Sequence, residues 1–174
     1  MTGQRSTTAA FALANNAGWH SLPPMKVDGQ CLCGYLSYEA EVDPDSTLIC
    51  NCTDCQVLSG SAFRTSVGVI GAFRFVSGQP KTYVKVADSG TRRVLAFCPE
   101  CGTSVYTAPE PGQTGFFGLR VGSLRQRDAL VPRSQLWCRS AQPWVRHVDE
   151  IPVVDGEVGR YVSSVSPGEP DLEA

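Results

Sequence analysis

Cysteines constrain the fold of this chain more than any other feature, because seven of the eight lie in three short clusters. The clusters have the spacings C-x-C, C-x-C-x-x-C and C-x-x-C; they comprise Cys31 and Cys33, then Cys50, Cys52 and Cys55, then Cys98 and Cys101. Such spacings let several sulfur atoms point at one centre, as a tetrahedral thiophilic ion requires. The pattern therefore predicts metal binding, with disulfides or free core thiols as the alternatives.

The two cysteine pairs together supply four thiolates, the number that closes a structural zinc site. Pro99 fixes a bend between Cys98 and Cys101, and Gly102 lets backbone N–H groups approach the sulfur atoms. Gly34 follows the first pair in the same way. We expect a closed site on Cys31, Cys33, Cys98 and Cys101, which ties together segments about 65 residues apart. Zinc and iron both bind four thiolates, so the spacing of the cysteines does not decide between these two metals.

The middle cluster, Cys50, Cys52 and Cys55, offers three thiols within six residues. Three protein ligands leave the fourth position of a tetrahedral metal open to substrate or water, so we expect the chemistry here. The alternative is a second structural site completed by Cys138, His147 or Asp54. Cys138 follows a tryptophan in an apolar run and is expected to be a small core residue. His147 is expected at the surface, beside Arg146.

Short runs of alternating apolar and polar residues predict an all-β domain with short helical turns only. The predicted strands cover residues 35–41, 63–69, 81–86, 92–97, 103–107, 115–121 and 135–137. One segment favours a helix, Thr53–Ser59, with Thr53 as a candidate N-terminal cap and Gly60 as its end.

Length and charge bound the remaining function classes. The chain has 174 residues and a formal net charge of -2, without a basic cluster longer than Arg92–Arg93, which disfavours a nucleic-acid partner. Its apolar runs are too short for a membrane helix, so we expect no membrane partner and a cytoplasmic location. Residues 26–163 are predicted to fold as one domain, with a flexible arm at 1–25 and a flexible acidic tail at 164–174.

These cysteine clusters, with Ser59-Gly60-Ser61-Ala62-Phe63 after the middle one and Phe97 before the last, resemble the GFA family. This is the family of the glutathione-dependent formaldehyde-activating enzyme, to which centromere protein V also belongs. The resemblance spans about residues 28–152. It implies a β-tent fold of short antiparallel strands organised around two zinc ions per chain. It places a structural zinc on Cys31, Cys33, Cys98 and Cys101, and a second zinc on Cys50, Cys52 and Cys55.

The resemblance also implies a carbon–sulfur lyase, an S-(hydroxymethyl)glutathione synthase that joins glutathione or an analogous small thiol to formaldehyde. Three thiolates on zinc leave a local charge of -1, which favours holding a thiolate over activating water. Family enzymes often carry His where Asn51 stands here and basic residues where Gln56 and Val57 stand. Arg64 and Arg120 are candidates to replace that positive charge. The competing class is a non-catalytic zinc module for protein interaction, with both metal sites structural.

Overall fold

Antiparallel strands organise the described part of the chain, which in this computed structural model comprises residues 21–87, 89–154 and 156. The strands are β1 (Met25–Gln30), β2 (Ser37–Cys50), β3 (Arg64–Ser77), β4 (Lys81–Val86), β5 (Arg92–Phe97), β6 (Ser104–Pro109), β7 (Gly118–Arg120) and β8 (Ser134–Leu136). One α-helix, α1, spans Thr53–Ser59, and short 3-10 helices cover Val121–Ser123, Arg127–Ala129, Cys138–Ser140 and Pro143–Glu150. The all-β prediction with short helical turns is confirmed.

All eight strands belong to one sheet with the order β1-β2-β3-β7-β6-β5-β4, while β8 pairs with β2 outside this path. Every pairing is antiparallel except that of β8 with β2, which is parallel. β8 joins only the last three residues of β2, with Cys50 opposite Leu136. The pairing therefore fixes the position of the segment that enters the middle cysteine cluster.

Two strands are longer than the alternation predicts, and one was not predicted. β2 and β3 each have 14 residues, and the pairing of β2 with β3 shifts register between Ala40 and Val42 and again between Asp43 and Leu48. Such irregularities interrupt a period of two, and Asp43-Pro44-Asp45 has the composition of a turn. β1 contains Asp28 and Gly29, which also favour a turn, yet it pairs along its whole length with β2.

Helix α1 has the predicted bounds, and its C-terminal cap Gly60 has a left-handed φ of 60° as expected. Its N-terminal cap differs from the prediction. Cys52, not Thr53, occupies the cap position, and no side chain there accepts a hydrogen bond from the first turn. The helix start is therefore fixed by the cysteine loop before it.

The buried core contains two of the clustered cysteines. Cys31 and Cys98 pack among Leu36, Tyr38, Val67, Val105 and Leu119 from four strands and an adjoining loop. An aromatic group of Phe73, Phe75, Tyr106 and Phe117 packs beside this core with ring centroids 5.0 to 6.4 Å apart. Sulfur atoms and apolar side chains therefore form one continuous interior.

The sheet must curl strongly for its cysteines to meet. β1 and β5 lie five steps apart in the strand order, a separation of about 24 Å in a flat sheet at roughly 4.8 Å per strand. Yet the sulfur atoms of Cys31, which follows β1, and Cys98, which follows β5, lie within 4.8 Å of each other. The curl of the sheet thus brings the cysteine turns that follow β1 and β5 to one point.

The chain divides into two compact units, Met1–Ala141 and Gln142–Ala174. All eight strands belong to the first unit, and the described part of the second contains the 3-10 segment Pro143–Glu150. Most of the predicted arm at 1–25 and the whole tail at 164–174 lie outside the described residues. Within the described segments, no helix combines the length and apolar character needed to cross a membrane.

Gly29 is a position where the sheet admits no side chain. A Cβ there would lie 2.5 Å from Cζ of Tyr38, its cross-strand partner. Tyr38 cannot move aside, since it is 1% exposed and its hydroxyl lies 2.6 Å from Ser123 Oγ. We expect Gly29→Ala to lower the free energy of unfolding by about 1–3 kcal/mol, as overpacking does, measured by urea denaturation.

Gly122→Ala is the matched control, because a Cβ at Gly122 meets nothing within 4 Å. We expect its free energy of unfolding to stay within about 0.5 kcal/mol of the wild type. Equal stability of both variants would contradict the close packing of β1 against β2.

Candidate metal centres and the cavity beside them

Two hydrogen-bonded turns, each followed by a glycine, bring four cysteines together. In the first turn, Cys31 N donates to Leu36 O at 3.0 Å and Gly34 N to Cys31 O at 3.1 Å. In the second, Cys98 N donates to Thr103 O at 2.9 Å and Gly102 N to Cys98 O at 3.0 Å. Gly34 and Gly102 have φ values of 80° and 72°, the left-handed region that glycine occupies without strain.

The four sulfur atoms of Cys31, Cys33, Cys98 and Cys101 lie within 4.8 Å of one another, and we call them the four-sulfur cluster. Tetrahedral zinc with bonds of about 2.3 Å requires sulfur atoms roughly 3.8 Å apart. The distance from Cys33 Sγ to Cys98 Sγ is 3.8 Å, and that from Cys31 Sγ to Cys33 Sγ is 3.5 Å. This geometry fits a closed metal site and excludes a disulfide, whose sulfur atoms are about 2.05 Å apart.

Hydrogen bonds in the four-sulfur cluster favour the thiolate at two of its cysteines, Cys31 and Cys101. Leu36 N donates to Cys31 Sγ at 3.2 Å. Thr103 Oγ1 lies 3.2 Å from Cys101 Sγ and accepts a hydrogen bond from Leu32 N at 3.1 Å, which links the two turns. Hydrogen bonds from Thr103, first from its side chain and then from its backbone, lower the pKa of Cys101 to about 5. The thiolate is thus stabilised at Cys31 and Cys101, whereas burial raises the pKa of Cys98.

The remaining three clustered cysteines come from one short connection. Cys50 is the last residue of β2, Cys52 caps α1, and Cys55 lies buried in its first turn. Asn51 between them is fully buried; its backbone N and its Nδ2 both donate to Leu136 O at 3.0 Å. Strand β8 therefore holds the loop that positions the three thiols.

The sulfur atoms of Cys50, Cys52 and Cys55 also lie within 4.8 Å of one another, and we call them the three-sulfur cluster. Cys50 Sγ is 3.6 Å from Cys52 Sγ, again close to the tetrahedral spacing. A hydrogen bond from Cys55 lowers the pKa of Cys50 to about 5, and the positive charge of Arg64 acts in the same direction. The same hydrogen bond raises the pKa of Cys55. The cluster thus favours one thiolate even without a metal.

No fourth His, Cys, Asp or Glu ligand joins this cluster in the described part of the chain. Asp54 instead forms an ion pair with Lys85. His147 is exposed and its Nδ1 lies 3.0 Å from Glu150 Oε1. The prediction that Cys138 is a core residue is wrong, since it is exposed. Trp137 has a left-handed φ of 58°, which turns the chain just before Cys138, and an apolar sequence run does not reveal such a turn.

A cavity of about 330 Å³ opens at the three-sulfur cluster. Its apolar wall consists of Leu48, Leu58, Leu95, Phe116, Leu136 and Trp137. The Trp137 ring is itself covered by the guanidinium of Arg139, 4.6 Å from its centroid. Ser66 and Thr107 add hydroxyl groups to the lining, and Arg64, Arg93, Lys85 and Asp54 add charges. An apolar pocket with a few converging polar groups is typical of a small-molecule site.

Arg120 lies behind this wall and is 5% exposed. Its Nη1 donates to Ser66 Oγ at 2.9 Å and its Nε to Ser104 Oγ at 3.2 Å. Burial, followed by the charge of Arg64, lowers the pKa of Arg120 to about 9. Both arginines that the sequence singled out as candidates are therefore close to the three-sulfur cluster.

Sequence reasoning missed Arg93, Lys85, Phe116 and Trp137 as parts of this site. Arg93 stands two residues before Leu95 on β5, and Arg64 stands two residues before Ser66 on β3; all four line the cavity. Residues two apart on a strand share a face. The strand period was therefore the available signal for Arg93, whereas nothing local in the sequence indicates that Phe116 and Trp137 reach the same cavity.

The family model for the glutathione-dependent formaldehyde-activating enzyme, GFA, matches residues 26–140. The chain belongs to this family. The match includes every strand except the first residue of β1, and both sulfur clusters. The resemblance inferred from the cysteine pattern is thereby confirmed.

Other comparisons add little to the GFA assignment. No curated protein shows a significant match. Among solved structures, a crystal structure of a Rhodobacter sphaeroides protein is similar, with 19% sequence identity and a TM-score of 0.47. The similarity covers 62% of this chain and 98% of that one.

The two clusters should differ in what they contribute to stability. Cys98 is fully buried in the core, whereas Cys52 is half-buried in a loop. We expect Cys98→Ser to lower Tm by roughly 10 °C or more, and Cys52→Ser by less than about 3 °C. Differential scanning calorimetry on metal-loaded protein measures both. Equal decreases in Tm for the two variants would mean that the three-sulfur cluster is also structural.

Proposed function

We propose that the protein is a zinc-dependent carbon–sulfur lyase that binds a small thiol, glutathione or an analogue, and adds it to formaldehyde or a related aldehyde. The observation that carries this proposal is the three-sulfur cluster, which opens onto a charged cavity and has no fourth ligand among the described residues. Membership of the GFA family supports the same class of reaction.

In this proposal the chain binds two zinc ions with different roles. The four-sulfur cluster supplies all the ligands of a closed structural site. Cys50, Cys52 and Cys55 leave one coordination position for the substrate. Zinc bound there supplies a position at which a thiol is deprotonated and held as a nucleophile.

The reaction adds S–H across the carbonyl group of the aldehyde. A sulfur–carbon bond forms, the π electrons of the carbonyl move to oxygen, and the proton lost by the thiol ends on that oxygen, so nothing is oxidised or reduced. Ser66 Oγ accepts a hydrogen bond from Arg120, which leaves its proton to donate into the cavity. We assign Ser66 to stabilise the developing oxygen charge.

The cavity walls contribute orientation and water exclusion. Phe116 and Trp137 add apolar surface to the cavity wall, which strengthens the electrostatic interactions of a substrate inside. Asp54 and Lys85 pair with each other at the cavity wall and are not assigned a proton-transfer role.

Metal content and turnover together test the proposal. We expect about two zinc ions per chain in the wild type and about one in Cys52→Ala. We expect Cys52→Ala to lose at least about 100-fold of the rate at which formaldehyde and glutathione are converted, because the nucleophile is no longer held. Exchange NMR spectroscopy measures this rate above the uncatalysed reaction.

Cys138→Ala is the matched control, since Cys138 is exposed and lies outside both clusters. It should keep both metal ions and the full rate. Loss of one zinc ion in Cys138→Ala, or two tightly held ions without any thiol binding, would favour the non-catalytic zinc module instead.

A further inference from the structure

We propose that the thiol substrate is a short mercaptocarboxylate whose carboxylate binds to Arg64 and Arg93. This inference rests on the proposed function, which places the substrate sulfur at the three-sulfur cluster. It goes further by assigning a second binding point in the cavity and by naming the class of thiol that reaches both points.

Unpartnered guanidinium atoms are the first observation. Nε and Nη1 of Arg64 are buried without a hydrogen-bond partner, and so is Nη2 of Arg120. Buried N–H donors of a charged group are costly when unpaired, and almost all such groups in proteins have a partner. Because Arg64 also lines the cavity, an acceptor that enters the cavity can supply a partner for its guanidinium.

The second observation is the absence of carboxylate partners. Within the described residues, no Asp or Glu forms an ion pair with Arg64, Arg93 or Arg120. The one carboxylate in the cavity wall, that of Asp54, is taken by Lys85. Burial, and after it the positive charge of Arg64, lowers the pKa of Arg93 and of Arg120, so the three positive charges lie close enough to repel one another.

Charge counting favours an anionic group in addition to the thiolate. Zinc with three thiolates carries -1, and a bound substrate thiolate adds another -1. These two negative charges balance two of the three arginines. One carboxylate would balance the third arginine, and the site would be neutral. A thiol without a carboxylate leaves one positive charge of this partly buried group unbalanced, which is less favourable.

Geometry selects Arg64 and Arg93 for the carboxylate, because both line the cavity. The Arg93 guanidinium donates to the backbone O of Phe116, which holds it in place. Arg120 lies behind Ser66 and supports the site through its charge. Guanidinium groups bind carboxylates through paired hydrogen bonds of defined geometry.

The shared lining of one small cavity favours a short thiol. A volume of about 330 Å³ is near the lower end of the roughly 300–1,000 Å³ that is typical of ligand pockets. The sulfur atoms and the arginines share this small space, so the carboxylate must lie a few bonds from the thiol. A mercaptocarboxylate of two or three carbons meets this requirement.

The test compares two thiols of the same shape on cobalt-substituted protein. Mercaptopropionate has a carboxylate where mercaptopropionamide has a neutral amide of nearly the same size. The sulfur-to-cobalt charge-transfer absorption reports binding of each. We expect mercaptopropionate to bind at least about 10-fold more tightly to the wild type, the difference that one charge-assisted pair supplies.

Variants assign the preference to residues. Arg64→Gln and Arg93→Gln should each reduce the ratio of the two affinities several-fold toward one. Arg74→Gln should leave it unchanged, because Arg74 is exposed, pairs with Glu39 and lies outside this cavity. Metal content, measured on every variant, confirms that the three-sulfur cluster stays loaded. If Arg64→Gln fails to fold, Arg93→Gln and the wild-type comparison still decide the question.

Failure of this inference can be told from failure of the proposed function. Equal binding of both thiols to the wild type would overturn the carboxylate site while the thiol site stands. Equal weakening of both thiols in the arginine variants would also overturn it, since the arginines would then only balance the cysteine thiolates. If no thiol changes the cobalt spectrum, the proposed function itself fails.

Discussion

Four sulfur atoms that meet between the turns after β1 and β5 set the shape of the sheet. These strands are five steps apart in the strand order, so only a strongly curled sheet lets Cys31 and Cys98 approach each other. Both residues are fully or almost fully buried within the main core cluster. A metal bound here would add to the stability that burial of apolar side chains supplies, since metal binding is itself folding free energy.

Curling also assembles the second cluster. β2 delivers Cys50, β3 delivers Arg64, and β5 delivers Arg93 to one cavity, although β5 is far from β2 in the strand order. β8 then pairs in parallel with the end of β2 and brings Trp137 to the cavity wall. In the proposed function, the four-sulfur cluster fixes the scaffold, while the three-sulfur cluster leaves a fourth position to a ligand. The separation of roles follows from the number of thiols in each.

Much of this arrangement could be predicted from the sequence, because cysteine spacing and strand period are local. The helix at Thr53–Ser59 and the all-β class follow from such patterns. Errors arose where tertiary contacts override local signals. Asp28 and Gly29 favour a turn but lie in a strand, since the Tyr38 ring needs the space beside Gly29. The apolar run around Cys138 predicts a core residue, yet the left-handed turn at Trp137 exposes its side chain. The charge around the three-sulfur cluster was underestimated because Arg93 and Lys85 reach it only through sheet pairing.

The central claim is that one sulfur cluster is closed and the other open. Cadmium NMR spectroscopy tests it most directly, because the cadmium shift depends on the number of sulfur ligands and cadmium binds thiolates as zinc does. On fully cadmium-loaded protein we predict two resonances, one for each cluster. Adding mercaptopropionate should leave the first unchanged and move the second to higher frequency as it gains a sulfur ligand. A single resonance, or two that both stay unchanged, would contradict the account.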